Sequence, residues 1–194
     1  IVEETDLFVS FGGLRRSNTE VTYGGQGTHH TEQWMKKAKA SGTDFLNIGP
    51  LRDDIDPQIQ PRWQPIRPGT DVAFILACIH TLIDKDLIDD GFVGTYVHGW
   101  EKFSDYVMGK SDQQAKSAEW ASGITGIDAR TIEDLALEMS NRRTLINVGL
   151  SVQRADHGEQ SYWAATALAC ALGQVGLPGG GIAFPFGAQG NVGA

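Results

Sequence analysis

The densest set of chemically capable side chains lies between residues 149 and 160, directly after a short apolar run. Guanidinium, amide and hydroxyl donors close to a helix start are typical of anion and nucleotide sites, because they complement phosphate oxygens. The alternative is an ordinary polar loop in which Glu159 stabilises the start of a helix. We favour a binding role for this segment, whose polar residues are Ser151, Gln153, Arg154, Asp156, His157, Glu159 and Gln160.

Two shorter segments offer related chemistry. A glycine pair at 12 and 13, followed by basic and polar side chains including Arg15, allows backbone to approach a pyrophosphate, whereas the alternative is a plain turn before a solvated loop. Pro68-Gly-Thr-Asp71 opens a long predicted helix. A carboxylate there can accept two parallel hydrogen bonds from a guanine edge, or it can simply complement the helix dipole together with a Thr70 N-cap. The residues singled out here are Gly12, Gly13, Ser17, Gly69, Thr70 and Asp71.

Apolar patterning predicts the strands and helices that position these segments. Strands are expected at 7–11, 45–48 and 144–148, each ending at glycine, with a further short strand possible at 63–66. Helices are expected at 31–40 with Thr31 as N-cap, at 71–85 with one apolar stripe, and at 159–173. Short helical pieces are expected at 87–97, 100–108, 115–122 and 128–140, the last with Asp128 as N-cap.

This alternation predicts an α/β fold with a doubly wound, mostly parallel, Rossmann-like sheet and a helical segment at about 86–140. Ligands of such sheets bind beyond the carboxyl ends of the strands. The loops at 12–17, 49–54 and 149–158 and the helix start at Thr70-Asp71 are therefore expected to line one crevice. An ordinary NAD site is not expected, because neither a complete Gly-x-Gly-x-x-Gly nor a Walker A loop is present.

Composition excludes several function classes. A chain of 194 residues suits a single domain, and its net charge of -8 argues against a nucleic-acid partner. No apolar run reaches the length of a membrane span. The two cysteines, Cys78 and Cys170, have no metal-site spacing, and free buried thiols are favoured over a disulfide. No metal-binding or catalytic role is assigned to His29, His30 or His80.

Four stretches resemble the molybdopterin guanine dinucleotide oxidoreductases, most closely the branch of DMSO, TMAO and biotin sulfoxide reductases. They are Ile66–Ala73, Phe103–Trp120, Gly149–Gln160 and Leu172–Gly181. The last two carry Gly-x-Ser-x-Gln-Arg, His-Gly-Glu-Gln and Gly-Gln-Val-Gly-Leu-Pro-Gly-Gly-Gly, and the likeness covers nearly the whole chain. The chain departs from the family where Leu150 replaces a common tryptophan and Gly49 a common aspartate.

The resemblance implies one α/β domain over residues 1–194, an internal piece of a longer chain, with 182–194 an unfinished connection to a missing domain. It implies a bis(molybdopterin guanine dinucleotide) molybdenum cofactor and small S-oxide or N-oxide substrates, with the remaining domains of the same chain as partners. The metal ligand is expected upstream, so that this chain alone is expected to be inactive. The implied cofactor-binding residues are Gly12, Gly13, Ser17, Gly49, Pro50, Arg52, Gly69, Thr70, Asp71, Gly149, Ser151, Gln153 and Arg154.

Within that set the resemblance gives two residues particular roles. Asp71 is expected to select guanine, and Arg154 to orient the cofactor or the substrate. Two alternatives remain open at this point. One is another molybdopterin enzyme, such as a formate dehydrogenase, a nitrate reductase or a hydroxyl-transferring enzyme; the other is a non-catalytic module that binds nucleotides or another subunit.

Overall fold

The protein, described by a computed structural model over residues 3–15 and 30–183, is built on one parallel sheet of five strands. The strands are β1 (Leu7–Phe11), β2 (Asp44–Ile48), β3 (Arg62–Gln64), β4 (Thr144–Val148) and β5 (Gly181–Ala183). Their order across the sheet is β3-β2-β1-β4-β5. The order therefore reverses beside β1, which is where doubly wound sheets open a ligand crevice.

Helices cover both faces of the sheet. They are α1 (Thr31–Ala40), α2 (Asp71–Asp84), α3 (Asp90–Tyr96), α4 (Trp100–Val107), α5 (Ala118–Thr125), α6 (Ala129–Asn141) and α7 (Glu159–Ala171). Short 3-10 helices lie at Arg52–Asp54, Pro57–Ile59 and Leu150–Gln153. The structure confirms the predicted α/β class, the three strands expected at 7–11, 45–48 and 144–148, and the helical stretch between residues 86 and 140. The helix ends differ from the predicted ends by at most three residues.

The core has two parts because alternate residues of each strand face opposite sides. Val9 and Phe11 of β1 pack with Phe74 of α2 on one face, whereas Phe8 packs with Met35 of α1 on the other. Helix α2 packs against helices α5, α6 and α7 and shares one apolar cluster with residues of the sheet. The apolar positions predicted for α2 are buried or partly buried, and most of the remaining residues of the helix are buried as well.

Two of the three predicted N-caps, Thr70 and Asp128, lie at the cap positions, but neither side chain makes a capping hydrogen bond. The Thr70 hydroxyl donates to the Arg67 carbonyl oxygen at 2.7 Å and accepts no hydrogen bond from the helix. Thr31 is the first residue inside α1 rather than its cap, and Asp128 precedes α6 without a capping hydrogen bond from its side chain. Thr70, with φ of -112° and ψ of 12°, departs from the extended conformation that is typical of a cap residue.

The two cysteines are free thiols, as expected. Cys78 is buried on α2, and this burial raises the pKa of its thiol far above the ordinary value. Cys170 is only half-buried on α7, so the expectation of full burial is wrong for this residue. In the ranges 3–15 and 30–183 no helix is long and apolar enough to cross a membrane.

Candidate functional site at the carboxyl edge of the sheet

The loops that follow β1 and β4 are in direct contact. The Gly149 backbone N–H donates to the Phe11 carbonyl oxygen at 2.8 Å, and the Ser151 hydroxyl donates to the Gly12 carbonyl oxygen at 3.1 Å. A Cβ atom on Gly12 would lie 2.5 Å from the Ser151 Oγ, and its φ of +76° is a glycine conformation. The close contact of the two loops therefore requires glycine at position 12.

The loop after β1 also touches the chain after β2. The Leu14 N–H donates to the Asp54 carbonyl oxygen at 2.7 Å, and Leu14 forms a β-bridge with Ile55. Arg15 pairs with Asp54 at 2.9 Å, so its guanidinium is already bound within the protein. Gly13 is buried in this crossing. Ser17 lies outside the described residues.

The first residues after β2 are held by the neighbouring strand. Trp63 of β3 donates its indole N–H to the Gly49 carbonyl oxygen at 2.9 Å. Gly49 is buried, but a Cβ atom there would meet a single neighbour, the Asn47 Oδ1, at 3.6 Å. Pro50 and Arg52 follow it on the surface. The loop therefore presents a proline and an arginine to solvent above a fixed glycine.

The start of α2 lies under the end of β1. The rings of Phe74 and Phe11 are 6.0 Å apart, which places the first turn of the helix beside the carboxyl end of the central strand. Gly69, with φ of +75°, leaves open space on its side-chain side. The Asp71 side chain begins the helix, and the residue is only 8% exposed.

Asp71 carries a buried carboxyl group that no cation neutralises within the described part of the chain. Burial raises the pKa of Asp71 above the ordinary value, and a hydrogen bond from its own backbone N–H acts in the opposite direction. A buried carboxylate with no ion-pair partner lowers the stability of the folded chain. Such a group is typical of a site whose partner is a bound molecule.

The segment after β4 forms a compact turn that ends at α7. A Cβ atom on Gly158 would overlap the Gln153 carbonyl, so this glycine is needed where the turn closes. Arg154 is exposed, and its positive charge opposes the increase that burial causes in the pKa of Tyr162. The Tyr162 hydroxyl in turn donates to the Gly149 carbonyl oxygen at 3.3 Å. Arg154 therefore lies near the β4 loop and is free of ion pairs to other described residues.

The structure thus places the predicted segments at one edge of the sheet. The loops after β1, β2 and β4 are joined by hydrogen bonds, and the start of α2 is placed there by Phe74. The expected residues that lie on these segments are Gly12, Gly13, Gly49, Pro50, Arg52, Gly69, Thr70, Asp71, Gly149, Ser151, Gln153 and Arg154. Only Ser17 cannot be placed.

Two residues of this edge were not predicted from the sequence. Asn47 and Asn147 lie in strands, each directly beneath a loop, and their side-chain amides donate to loop carbonyl oxygens. A pattern in the sequence marks both. Each of the three central strands ends in a polar and then an apolar residue and is followed by glycine: Ser10-Phe11-Gly12, Asn47-Ile48-Gly49 and Asn147-Val148-Gly149.

His30 and His80 lie on or beside helices. His30 stacks on Trp34 in α1, and His80 is half-buried on α2, where burial lowers the pKa of its imidazole. His29 lies outside the described residues. Across residues 3–15 and 30–183, His, Cys, Asp and Glu form no group of three or more that can hold a metal ion.

Comparison with known proteins gives the chain its family. The sequence model of the family described as Molybdopterin oxidoreductase matches residues 1–189. The chain is 37% identical to a biotin sulfoxide reductase of Cereibacter sphaeroides over 194 residues, 100% of this chain and 26% of that protein. It is 40% identical to a dimethyl sulfoxide/trimethylamine N-oxide reductase of Rhodobacter capsulatus, over 81% of this chain and 19% of that protein.

A solved structure has the same fold. Acetylene hydratase from Pelobacter acetylenicus superimposes with a TM-score of 0.71 at 20% identity, over 91% of this chain and 22% of that one. The chain therefore spans about a quarter or less of the length of these proteins. The family match over nearly all residues, the close curated relatives and the shared fold agree, and the chain belongs to the molybdopterin oxidoreductase family.

Proposed function

We propose that this chain binds one guanine dinucleotide of a bis(molybdopterin guanine dinucleotide) molybdenum cofactor, in a protein that reduces S-oxides or N-oxides. The observation that carries the proposal is the convergence of three strand-end loops and the start of α2 at one edge of the sheet. The names of the relatives, which are reductases of biotin sulfoxide, dimethyl sulfoxide and trimethylamine N-oxide, support the substrate class.

The chemistry of this edge fits a dinucleotide. Phosphate oxygens require cations and N–H donors, and the exposed side chains of Arg52 and Arg154 supply charge on two of the converging loops. Gly69 leaves open space where a ligand can approach the backbone closely. The side chain of Ser151 is committed to Gly12, so we assign it to shaping the loop rather than to direct binding.

Asp71 is the residue that we assign to guanine recognition. The guanine edge presents a ring N–H and an exocyclic amine side by side, and a carboxylate can accept a hydrogen bond from each. These two bonds would satisfy the buried carboxylate of Asp71 and lower its pKa relative to the ligand-free protein. An adenine edge lacks this pair of donors, so the same carboxylate discriminates between the two bases.

The molybdenum centre supplies the two-electron transfer when it is bound, and this chain supplies position and charge. Arg154 lies on the turn after β4, next to the crevice at which the strand order reverses. Its side chain orients either the cofactor or an oxide substrate, whose oxygen carries partial negative charge. Gln153 precedes it, and the Gln153 carbonyl lies against Gly158, where the turn closes.

The remaining domains of the same polypeptide are the proposed partner of an apolar groove lined by three helices. This groove has a volume of about 810 Å³ and lies between α2, α4 and α7. Trp163, which lines it, is 74% exposed, and Tyr106 is 40% exposed. Large exposed aromatic surfaces mark interfaces, and the relatives are about four times as long as this chain.

Nucleotide titration of the cofactor-free protein tests the proposal. Asp71→Asn should weaken binding of guanosine diphosphate by about 2 kcal/mol, roughly 30-fold, because one acceptor is replaced by a donor. Binding of adenosine diphosphate should be weak in both forms. Asp90→Asn is the matched control, since Asp90 is an exposed first residue of helix α3. Equal affinity of the two diphosphates, or an Asp71→Asn protein that binds guanosine diphosphate normally, would contradict the assignment.

A further inference from the structure

A row of buried polar side chains crosses the sheet directly beneath the candidate site. Ser10, Asn47 and Asn147 occupy matching register positions on β1, β2 and β4, so they lie side by side on the same face. All three residues are fully buried. Two positions earlier on that face the corresponding row is apolar: Phe8, Phe45 and Leu145.

The amide nitrogens of this row reach into the loops. The Asn47 Nδ2 donates to the Leu51 carbonyl oxygen at 3.0 Å, in the loop after β2. The Asn147 Nδ2 donates to the Ser10 hydroxyl at 3.0 Å and makes a longer contact of 3.4 Å with the Gly13 carbonyl oxygen. Each strand beside β1 therefore sends one side-chain donor to a carbonyl of the loops that meet at the site.

Asn47 and Asn147 also lower the stability of the folded chain, because each has an unpaired buried acceptor. The Oδ1 atoms of Asn47 and Asn147 are buried and have no hydrogen-bond partner among residues 3–15 and 30–183. A buried acceptor without a partner opposes folding, and leucine has a similar shape without that penalty. Packing therefore favours leucine at positions 47 and 147, as it does at Leu145, two positions earlier on the same face. Unlike leucine, an amide can donate hydrogen bonds to the loop carbonyl oxygens.

We infer that Asn47 and Asn147 are positioning residues, which fix the loops after β1 and β2 in the geometry that binds the nucleotide. The inference rests on the proposed function for its ligand, but the fixing of the loops is independent of it. The loops after β1 and β2, which Asn147 and Asn47 contact, meet where Leu14 forms a β-bridge with Ile55. Loss of either amide should loosen its loop while the sheet beneath it remains intact.

The experiment compares Asn47→Leu and Asn147→Leu with the control Asn141→Leu in the full-length protein that contains this chain. Asn141 is exposed at the end of α6, and its amide likewise donates to a backbone carbonyl, that of Leu137. Three quantities are measured for each variant: guanine nucleotide released per polypeptide on denaturation, hydrogen exchange of the loop amides, and the thermal unfolding temperature. The exchange segments are residues 51–55 for Asn47 and residues 12–15 for Asn147.

Asn47→Leu should speed exchange in its loop by about fivefold, because one hydrogen bond of ordinary strength is lost. Asn147→Leu should speed exchange in its loop by about two- to threefold, because its contact with the Gly13 carbonyl oxygen is longer, at 3.4 Å. Guanine content should fall by a similar factor, while the unfolding temperature stays unchanged or rises. The Asn141→Leu protein should match the unsubstituted protein in loop exchange and guanine content. Wild-type exchange in both loops would overturn the inference. A variant that unfolds at a lower temperature, with faster exchange throughout the sheet, would also overturn it, since the amide would then serve folding.

The two proposals fail in different ways. If the unsubstituted protein releases no guanine nucleotide, the proposed function is wrong, whereas the exchange of the loops still decides the role of the asparagines. If the unsubstituted protein releases guanine nucleotide and both leucine variants retain the same amount with unchanged exchange, only the positioning role is wrong.

Discussion

Alanine at position 13 places a methyl group where the loops after β1 and β2 cross. The new Cβ would lie 2.6 Å from the Asp54 Cβ and 2.9 Å from the Asp54 carbonyl oxygen. The φ of +78° at Gly13 adds about 1 kcal/mol of backbone strain for alanine. Forcing the two backbones apart adds about 1–3 kcal/mol. We therefore expect Gly13→Ala to lower the free energy of unfolding by about 2–4 kcal/mol.

The matched control is Gly176→Ala. Gly176 has a φ of +88° but no neighbour within 4 Å of a Cβ atom, so its substitution carries only the backbone strain. In a protein of this size about 1 kcal/mol corresponds to roughly 3 °C in thermal unfolding. Gly13→Ala should therefore unfold about 6 °C below Gly176→Ala, as measured by calorimetry. Equal unfolding temperatures would show that the loops are not packed as described.

Two further predictions concern buried charges. Because burial raises the pKa of Asp71, the folded chain binds more protons than the unfolded chain as the pH rises above 3.8, and its stability falls across that range. Asp71→Asn should therefore raise the unfolding temperature of the cofactor-free protein at pH 7 and have little effect below pH 3.8; a loss of stability at pH 7 would contradict this. Lys116 is buried, and its ammonium lies 2.6 Å from the Asp112 carboxylate and 4.2 Å from the centre of the Tyr106 ring. Lys116→Ala should therefore lower the free energy of unfolding, measured by urea denaturation, by about 2 kcal/mol. Lys110→Ala should lower it by less than about 0.5 kcal/mol, because the Lys110 side chain is 69% exposed, and equal losses would refute the burial argument.

The strands that could be predicted are those in which a local run of apolar residues ends at glycine. The strands at 7–11 and 144–148 match β1 and β4 residue for residue, because apolar runs end at glycine in both. Strand β5 was not predicted. Its three residues, Gly181–Ala183, contain no recognisable pattern, and their extended conformation is stabilised by pairing with β4. Likewise, Thr70 occupies the cap position, but its φ of -112° and ψ of 12° could not be read from its residue type.

The site was predictable in outline and not in its contacts. A parallel sheet brings the carboxyl ends of its strands to one edge, which is why glycines distant in sequence were expected together. The pairing of Arg15 with Asp54 was not foreseen, because it depends on how two loops cross in space. Asn47 and Asn147 were not predicted because they lie in strands, whereas the predicted site residues lie in loops and at a helix start. Asparagine in an otherwise apolar strand nevertheless signals a buried hydrogen-bonding role.

Hydrogen exchange of the cofactor-loaded and cofactor-free full-length protein tests most directly whether this edge binds the nucleotide. Loading should slow exchange in residues 12–15, 49–54, 69–73 and 149–154, which belong to the loops and the helix start at the carboxyl edge. Residues 41–44 and 174–180, at the opposite edge, should exchange at the same rate in both forms. Slower exchange at the opposite edge, with no change in the four site segments, would contradict a cofactor site at the carboxyl edge.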